Sequence, residues 1–71
     1  MNNYIFVKDL QPGKIYKFSP NNNYYFVVSV VHKIWSGQKK TIHVKYLNQN
    51  KIIECVYFEH EKTSMDLVLV E

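Results

Sequence analysis

The chain has 71 residues and a formal net charge of +3; 46% of the residues are hydrophobic and 15% aromatic. That length supports one domain, near the lower limit at which a core holds without a disulfide, metal or partner, so association into a homo-oligomer is one expectation. The apolar content excludes a disordered tail, the single Cys55 excludes an internal disulfide, and no apolar run is long enough for a helical membrane span.

Charge is unevenly spread. Through residue 53 eight lysines face only Asp9, a net of +7, and from Glu54 onward five acids face only Lys62, a net of −4. A basic side with an acidic rim is expected from that asymmetry. Arg and Ala are absent, while Lys, Asn, Ile, Tyr and Phe make up 32 of the 71 residues. Such usage follows from AT-rich coding DNA, common in phages, viruses and some bacteria, and makes a phage or viral origin an expectation. Met1-Asn2-Asn3-Tyr4 has neither the basic start nor the apolar core of a secretory signal, so the expected location is the cytoplasm, that of the host for a phage or viral protein.

In chain order, Tyr4-Ile5-Phe6-Val7 predicts a short edge strand, and Pro12-Gly13 a turn. Lys14 to Phe18 reads as a strand with Tyr16 and Phe18 on one face. Ser19-Pro20-Asn21-Asn22-Asn23 is a tight polar loop. The run from Tyr24 to Trp35 is the longest apolar stretch, almost wholly β-branched or aromatic, and predicts a single long strand. Its alternation places Tyr24, Phe26, Val28, Val30, His32 and Ile34 on one face and Tyr25, Val27, Val31 and Trp35 on the other. At about 3.3 Å per residue it would span roughly 40 Å, against roughly 29 Å for a compact domain with a radius of gyration near 11 Å. The strand is therefore expected to bend and serve two packed layers, as in a small barrel.

Ser36 to Lys40 closes that strand, and Ile42, Val44 and Tyr46 then alternate with Thr41, His43 and Lys45. A hairpin with Ile34 opposite Ile42 pairs His32 with Val44 and Val30 with Tyr46 inward, and Trp35 with Thr41, Lys33 with His43 and Val31 with Lys45 outward. A two-residue turn at Gln49-Asn50 sets Tyr46 opposite Ile53, Val44 opposite Cys55, Ile42 opposite Tyr57 and Lys45 opposite Glu54. The fourth strand runs from Ile52 to about Phe58. A polar connection from Glu59 to Ser64, with room for one helical turn, leads to a last strand from Met65 to Val70.

Five short strands with tight connections, one of them long and bent, resemble the SH3-like small barrels from Lys14 to Val70. The fold class expected is therefore an all-β, five-stranded SH3-like barrel. A proline-peptide SH3 domain has a long first loop and an acidic-aromatic motif, and here that loop is only Ser19 to Asn23. The resemblance is thus to Tudor- and KOW-type barrels, which commonly bind nucleic acid, ribonucleoproteins or modified tails. An OB-fold carries a helix between its third and fourth strands, for which Gln49-Asn50 leaves no room. The Tudor likeness also implies an aromatic cage for methylated side chains near Tyr24, Tyr25 and Phe26, although core packing is the better account of the same residues, since a small barrel needs large side chains to fill it.

No pair of acids or histidines has a spacing that demands a shared site, and no Ser or Cys sits in a nucleophile turn, so a non-catalytic protein is expected. His32, His43, Cys55 and His60 lack zinc-site spacing, and the register puts His32 and His43 on opposite faces; no metal or other cofactor is expected. The candidate binding surface is the outward side of the first hairpin: Lys33, Trp35, Lys39, Lys40, His43 and Lys45. An aromatic plate among ammonium groups suits bases that stack and phosphates that are neutralised. With no Arg for bidentate reading of guanine, such binding is weakly sequence-specific. The partner expected is nucleic acid or an acidic protein surface, with no membrane. A phage or viral accessory protein working through protein contacts, by strand addition at an edge near Tyr4 to Val7 or Leu67 to Val70, is the alternative.

Overall fold

The structure is a computed structural model and describes residues 4–68. It is all-β, with strands β1 (Ile5–Phe6), β2 (Ile15–Phe18), β3 (Asn23–Ile34), β4 (Lys40–Asn48), β5 (Lys51–Phe58), β6 (Lys62–Thr63) and β7 (Met65–Val68), and 3-10 turns at Val7–Asp9 and Ser36–Gln38. The strands form a β1–β6 pair and a five-stranded antiparallel sheet ordered β5-β4-β3-β2-β7.

Local chemistry explains the turns. Pro12 and Gly13 occupy the centre of a type II turn in which Gly13 has φ +85° and the Lys14 N–H donates to the Gln11 carbonyl at 3.4 Å. In the asparagine loop Asn21 Oδ1 accepts the Asn23 N–H at 2.9 Å, the local bond that favours Asn in turns. Gln49 and Asn50 take φ of 50° and 65°, the left-handed pair of a type I′ hairpin. That turn fixes the β4–β5 register as predicted, with Ile42 opposite Tyr57, Val44 opposite Cys55, Lys45 opposite Glu54 and Tyr46 opposite Ile53.

The β3–β4 register differs from expectation by two residues: Ile34 lies opposite Lys40, His32 opposite Ile42 and Val30 opposite Val44. Gly37 and Gln38 both adopt positive φ and the Trp35 N–H reaches the Lys39 carbonyl at 2.7 Å, so the loop closes sooner than composition suggested. A bulge at Val28 makes a second correction. Val27 pairs with Tyr46 and Ser29 with Lys45, leaving Val28 as the extra residue. The two faces of β3 exchange there. Tyr25 and Val27 join Val30, His32 and Ile34 on the inner face, while Tyr24 and Phe26 share the outer face with Val31 and Lys33.

The barrel does not close. β5 and β7 remain the edges of the sheet, with no ladder between them among the described residues. Ile53, Cys55 and Tyr57 of β5 instead face Thr63 and Met65 across an apolar cleft of about 300 Å³. The chain leaving β5 is diverted toward the N-terminal segment: Val7 N–H donates to the Glu61 carbonyl at 2.9 Å, and Ile5 and Phe6 pair with Thr63 and Lys62. The expected helical turn between Glu59 and Ser64 is therefore β6, and the expected edge at Tyr4–Val7 is partly paired. Of the last predicted strand, Met65–Val68 is observed beside β2, and Leu69 and Val70 lie outside the described residues.

The core is Val7, Leu10, Tyr16, Val27, Ile42, Val44, Tyr46 and Met65. It runs along β4 from Tyr46 to Ile42. Every residue from Val31 to Lys40 is exposed, so the distal part of β3 and the Ser36–Gln38 tip project beyond the core as an arm, while Thr41, Ile42 and Val44 of β4 stay buried. The molecule measures 41 × 29 × 22 Å with a radius of gyration of 12.5 Å, longer than the compact body expected.

Candidate functional site

The arm positions the predicted residues on two different faces. Opposed residues of an antiparallel ladder point to the same side. The pairs Lys33–Thr41–Phe58, Val31–His43–Val56 and Ser29–Lys45–Glu54 therefore define the outer face. Lys40 alternates to the inner side with Ile34, and its ammonium lies 3.9 Å from Glu59 Oε2. Both members of that pair are more than half exposed, so the contact adds little stability, but it offsets the charge of Lys40.

Trp35 follows the end of β3 and folds back over the outer face. Its indole N–H donates to Thr41 Oγ1 at 2.7 Å, and Thr41 Oγ1 lies 3.0 Å from His43 Nε2. Thr41 is only 6% exposed because the indole covers it, whereas Trp35 itself remains 49% exposed. The ring is thus held in one orientation with a face toward water. Lys33 Nζ sits 6.0 Å from the Trp35 ring centroid, at the outer limit of a cation–π contact, and the His43 ring is 6.4 Å away at a tilt of 45°. Trp35, Lys39, Thr41, His43 and Val56 line an open cleft of about 400 Å³.

Phe58 completes the surface and was missed in the sequence. It lies opposite Thr41 on the outer face, is 49% exposed, and has Lys39 Nζ 5.6 Å from its ring centroid. The signal was available, since setting Ile42 opposite Tyr57 necessarily sets Thr41 opposite Phe58. The structure therefore brings together Lys33, Trp35, Lys39, His43 and Lys45 with Phe58 on the outer face, and puts Lys40 on the inner side, where it lines a cleft with Lys39, Phe58 and Glu59. Lys45 stands opposite Glu54, which reduces its contribution to the local field. Lys33 and Lys39 make no ion pair among the described residues.

The implied cage at Tyr24, Tyr25 and Phe26 is not assembled, because successive strand residues point to opposite faces. Tyr25 packs edge-on against Phe18 and Tyr46, with ring centroids 6.1 and 5.6 Å apart, while Tyr24 and Phe26 face outward. In the inner cleft the Tyr46 and Tyr57 hydroxyls are 3.0 Å apart. Burial pushes both phenols above the ordinary tyrosine range; their shared hydrogen bond pulls Tyr46 back toward it and holds Tyr57 higher. Cys55 is half-buried beside them. His32 and His43 occupy opposite faces, and among the described residues no group of His, Cys, Asp and Glu is placed to hold a metal ion. Among the described residues no helix is long and apolar enough to cross a membrane.

No protein-family model, curated protein or solved structure matches the chain.

Proposed function

We propose that the protein is a non-catalytic binding module, an open variant of the SH3-like small barrels, whose outer arm face binds single-stranded nucleic acid with little sequence preference. The observation that carries this reading is the Trp35 indole, fixed by Thr41, half open to water and flanked by Lys33. A pre-oriented ring loses little entropy when a base stacks on it, and such stacking is worth about 1–3 kcal/mol per base. Phe58 with Lys39 supplies a second plate and a second cation on the same face. The SH3-like reading is supported by the meander of β2 to β5 and by β7 returning beside β2.

The test is fluorescence anisotropy with short labelled single- and double-stranded oligonucleotides. Two or three phosphate contacts by Lys33, Lys39 and Lys45 predict a roughly tenfold loss of affinity between about 50 and 200 mM salt. Absence of binding at the lower salt overturns the reading. A second reading, an accessory protein that acts through protein contacts, is favoured by apolar side chains on the same arm: Ile34 is 76% and Val56 58% exposed. Binding to an acidic or apolar protein surface that persists at the higher salt supports it instead.

A further inference from the structure

The outer edge of β5 is a long, mostly apolar strand edge without a partner among the described residues. The type I′ turn makes Asn48 and Lys51 the hydrogen-bonded pair that closes the β4–β5 hairpin. Alternation from there turns the N–H and C=O groups of Ile53, Cys55 and Tyr57 toward β4, and those of Ile52, Glu54 and Val56 outward. Phe58 confirms the phase: its N–H donates to Glu61 Oε2 at 3.3 Å and its carbonyl accepts the Glu61 N–H at 3.1 Å, both away from β4. Between Ile52 and Tyr57 no backbone bond is made on that side among the described residues. Natural edges are blunted by lysines, prolines or bulges. The free distal edge of β3 has both a bulge at Val28 and Lys33, whereas β5 between Ile52 and Phe58 has neither lysine nor proline.

We infer that the occupant of this edge is a second copy of the chain, paired antiparallel with the two-fold axis at Cys55. The choice of register follows from charge. Outward-pointing residues must meet outward-pointing residues, which allows axes at Ile53, Glu54, Cys55 or Val56. An axis at Val56 sets Glu54 opposite Phe58, whose outward groups are already bonded to Glu61, leaving Val56 as the one bonded position. An axis at Glu54 sets two carboxylates directly opposite, which is destabilising. An axis at Ile53 opposes Lys51 to Cys55 and runs the Gln49-Asn50 turn past Tyr57 and Val56, so fewer strand residues pair. The axis at Cys55 sets Ile53 opposite Tyr57 on the inner face and Glu54 opposite Val56 on the outer face, so no like charges are opposed, and the ladder ends before Phe58, whose outward N–H and C=O are held by Glu61.

A further observation agrees with this pairing. Cys55 falls at a non-hydrogen-bonded position, where opposed side chains are closest, and it is among the smallest side chains of the strand. The isolated chain exposes 5330 Å². A globular monomer of 8.5 kDa exposes about 4,650 Å², so the chain carries roughly 700 Å² more surface than a compact monomer of its mass, part of it on the arm from Val31 to Lys40. The dimer joins two outer faces into one continuous surface with a Trp35 arm at either end.

The experiment is sedimentation of the intact chain without nucleic acid and at elevated salt, so that its outcome is independent of the oligonucleotide test. The mass is expected to rise with concentration to twice that of the chain, and a short thiol-to-thiol cross-linker is expected to join the two Cys55 side chains. Val56 is exposed on the outer face, so its replacement leaves the core intact. Val56→Glu sets like charges opposite Glu54 of the second copy and is expected to weaken the dimer roughly tenfold, whereas Val56→Lys strengthens it several-fold. A monomer at every concentration overturns the inference. So does a dimer that responds equally to both substitutions or that is not joined through Cys55.

Discussion

Trp35 and Thr41 are joined through their side chains across the loop that ends the arm, with the indole N–H donating to Thr41 Oγ1 at 2.7 Å. Thr41 is in turn 3.0 Å from His43 Nε2, so one hydroxyl ties the ring to the sheet. The bond fixes an aromatic plate without burying it, and the consequences for binding can be separated by mutation.

Trp35→Ala is expected to lower affinity for single-stranded oligonucleotides about tenfold to a hundredfold, the loss of one stacked base. Thr41→Val keeps the shape of the buried side chain but releases the indole, and a smaller, several-fold loss is expected. Titration followed by Trp35 fluorescence reads the Thr41→Val effect, and anisotropy of the labelled oligonucleotide reads Trp35→Ala, which removes the single tryptophan. Wild-type affinity in Trp35→Ala removes this surface from consideration.

The lysines are expected to contribute unequally because the sheet divides them. Lys33→Glu combined with Lys39→Glu reverses two charges on the outer face and is expected to weaken binding at least tenfold and flatten its salt dependence. Lys40→Glu acts on the inner side, next to Glu59, and is expected to change affinity less than threefold. Equal effects of the two changes would show that the basic residues act as a diffuse field rather than through one face.

What could be read from the residues depended on whether a local signal specified the geometry. Gln49-Asn50 between two alternating runs left a single register for β4 and β5, and that register is observed down to Lys45 opposite Glu54. The tip at Ser36–Gln38 carried no such constraint, since one glycine permits several loop closures, and the pairing came out two residues away. Because the shift is even, Lys33, Trp35 and His43 still share a face. The bulge at Val28 was invisible, lying within a run where every residue suits a strand equally, and it alone reversed Tyr24, Tyr25 and Phe26. Barrel closure failed for a reason alternation cannot report: Glu61 and Lys62 pair with the N-terminal segment instead of completing the sheet.

The hairpin turn offers a gain in stability. Gln49 and Asn50 both sit at positive φ, where a side chain with Cβ is disfavoured and Gln more so than Asn. Replacing the pair by Asn-Gly is expected to stabilise the fold by about 1 kcal/mol, read as a higher denaturant midpoint at unchanged slope. By contrast Ile42→Ala, at a position 1% exposed in the core, is expected to cost about 2–5 kcal/mol and to leave so small a domain largely unfolded. A fall in stability for the Asn-Gly variant would mean that the turn is not of the type I′ form.

Alkaline pH tests the inner cleft. Tyr46 and Tyr57 stand 3.0 Å apart, and both are harder to ionise in the fold than in the unfolded chain, chiefly through burial. The folded state therefore holds these protons after the unfolded state has released them. Their contribution to stability is complete below the ordinary tyrosine value of 10.0 and declines as pH rises above it toward the folded values. Denaturant midpoints are expected to fall steadily above that point, and two of the phenols to ionise only as the protein unfolds. Tyr57→Phe removes the more strongly shifted group, so its stability should decline less steeply over the same range. A Tyr57→Phe variant with the full wild-type alkaline slope would place the pH sensitivity elsewhere in the molecule.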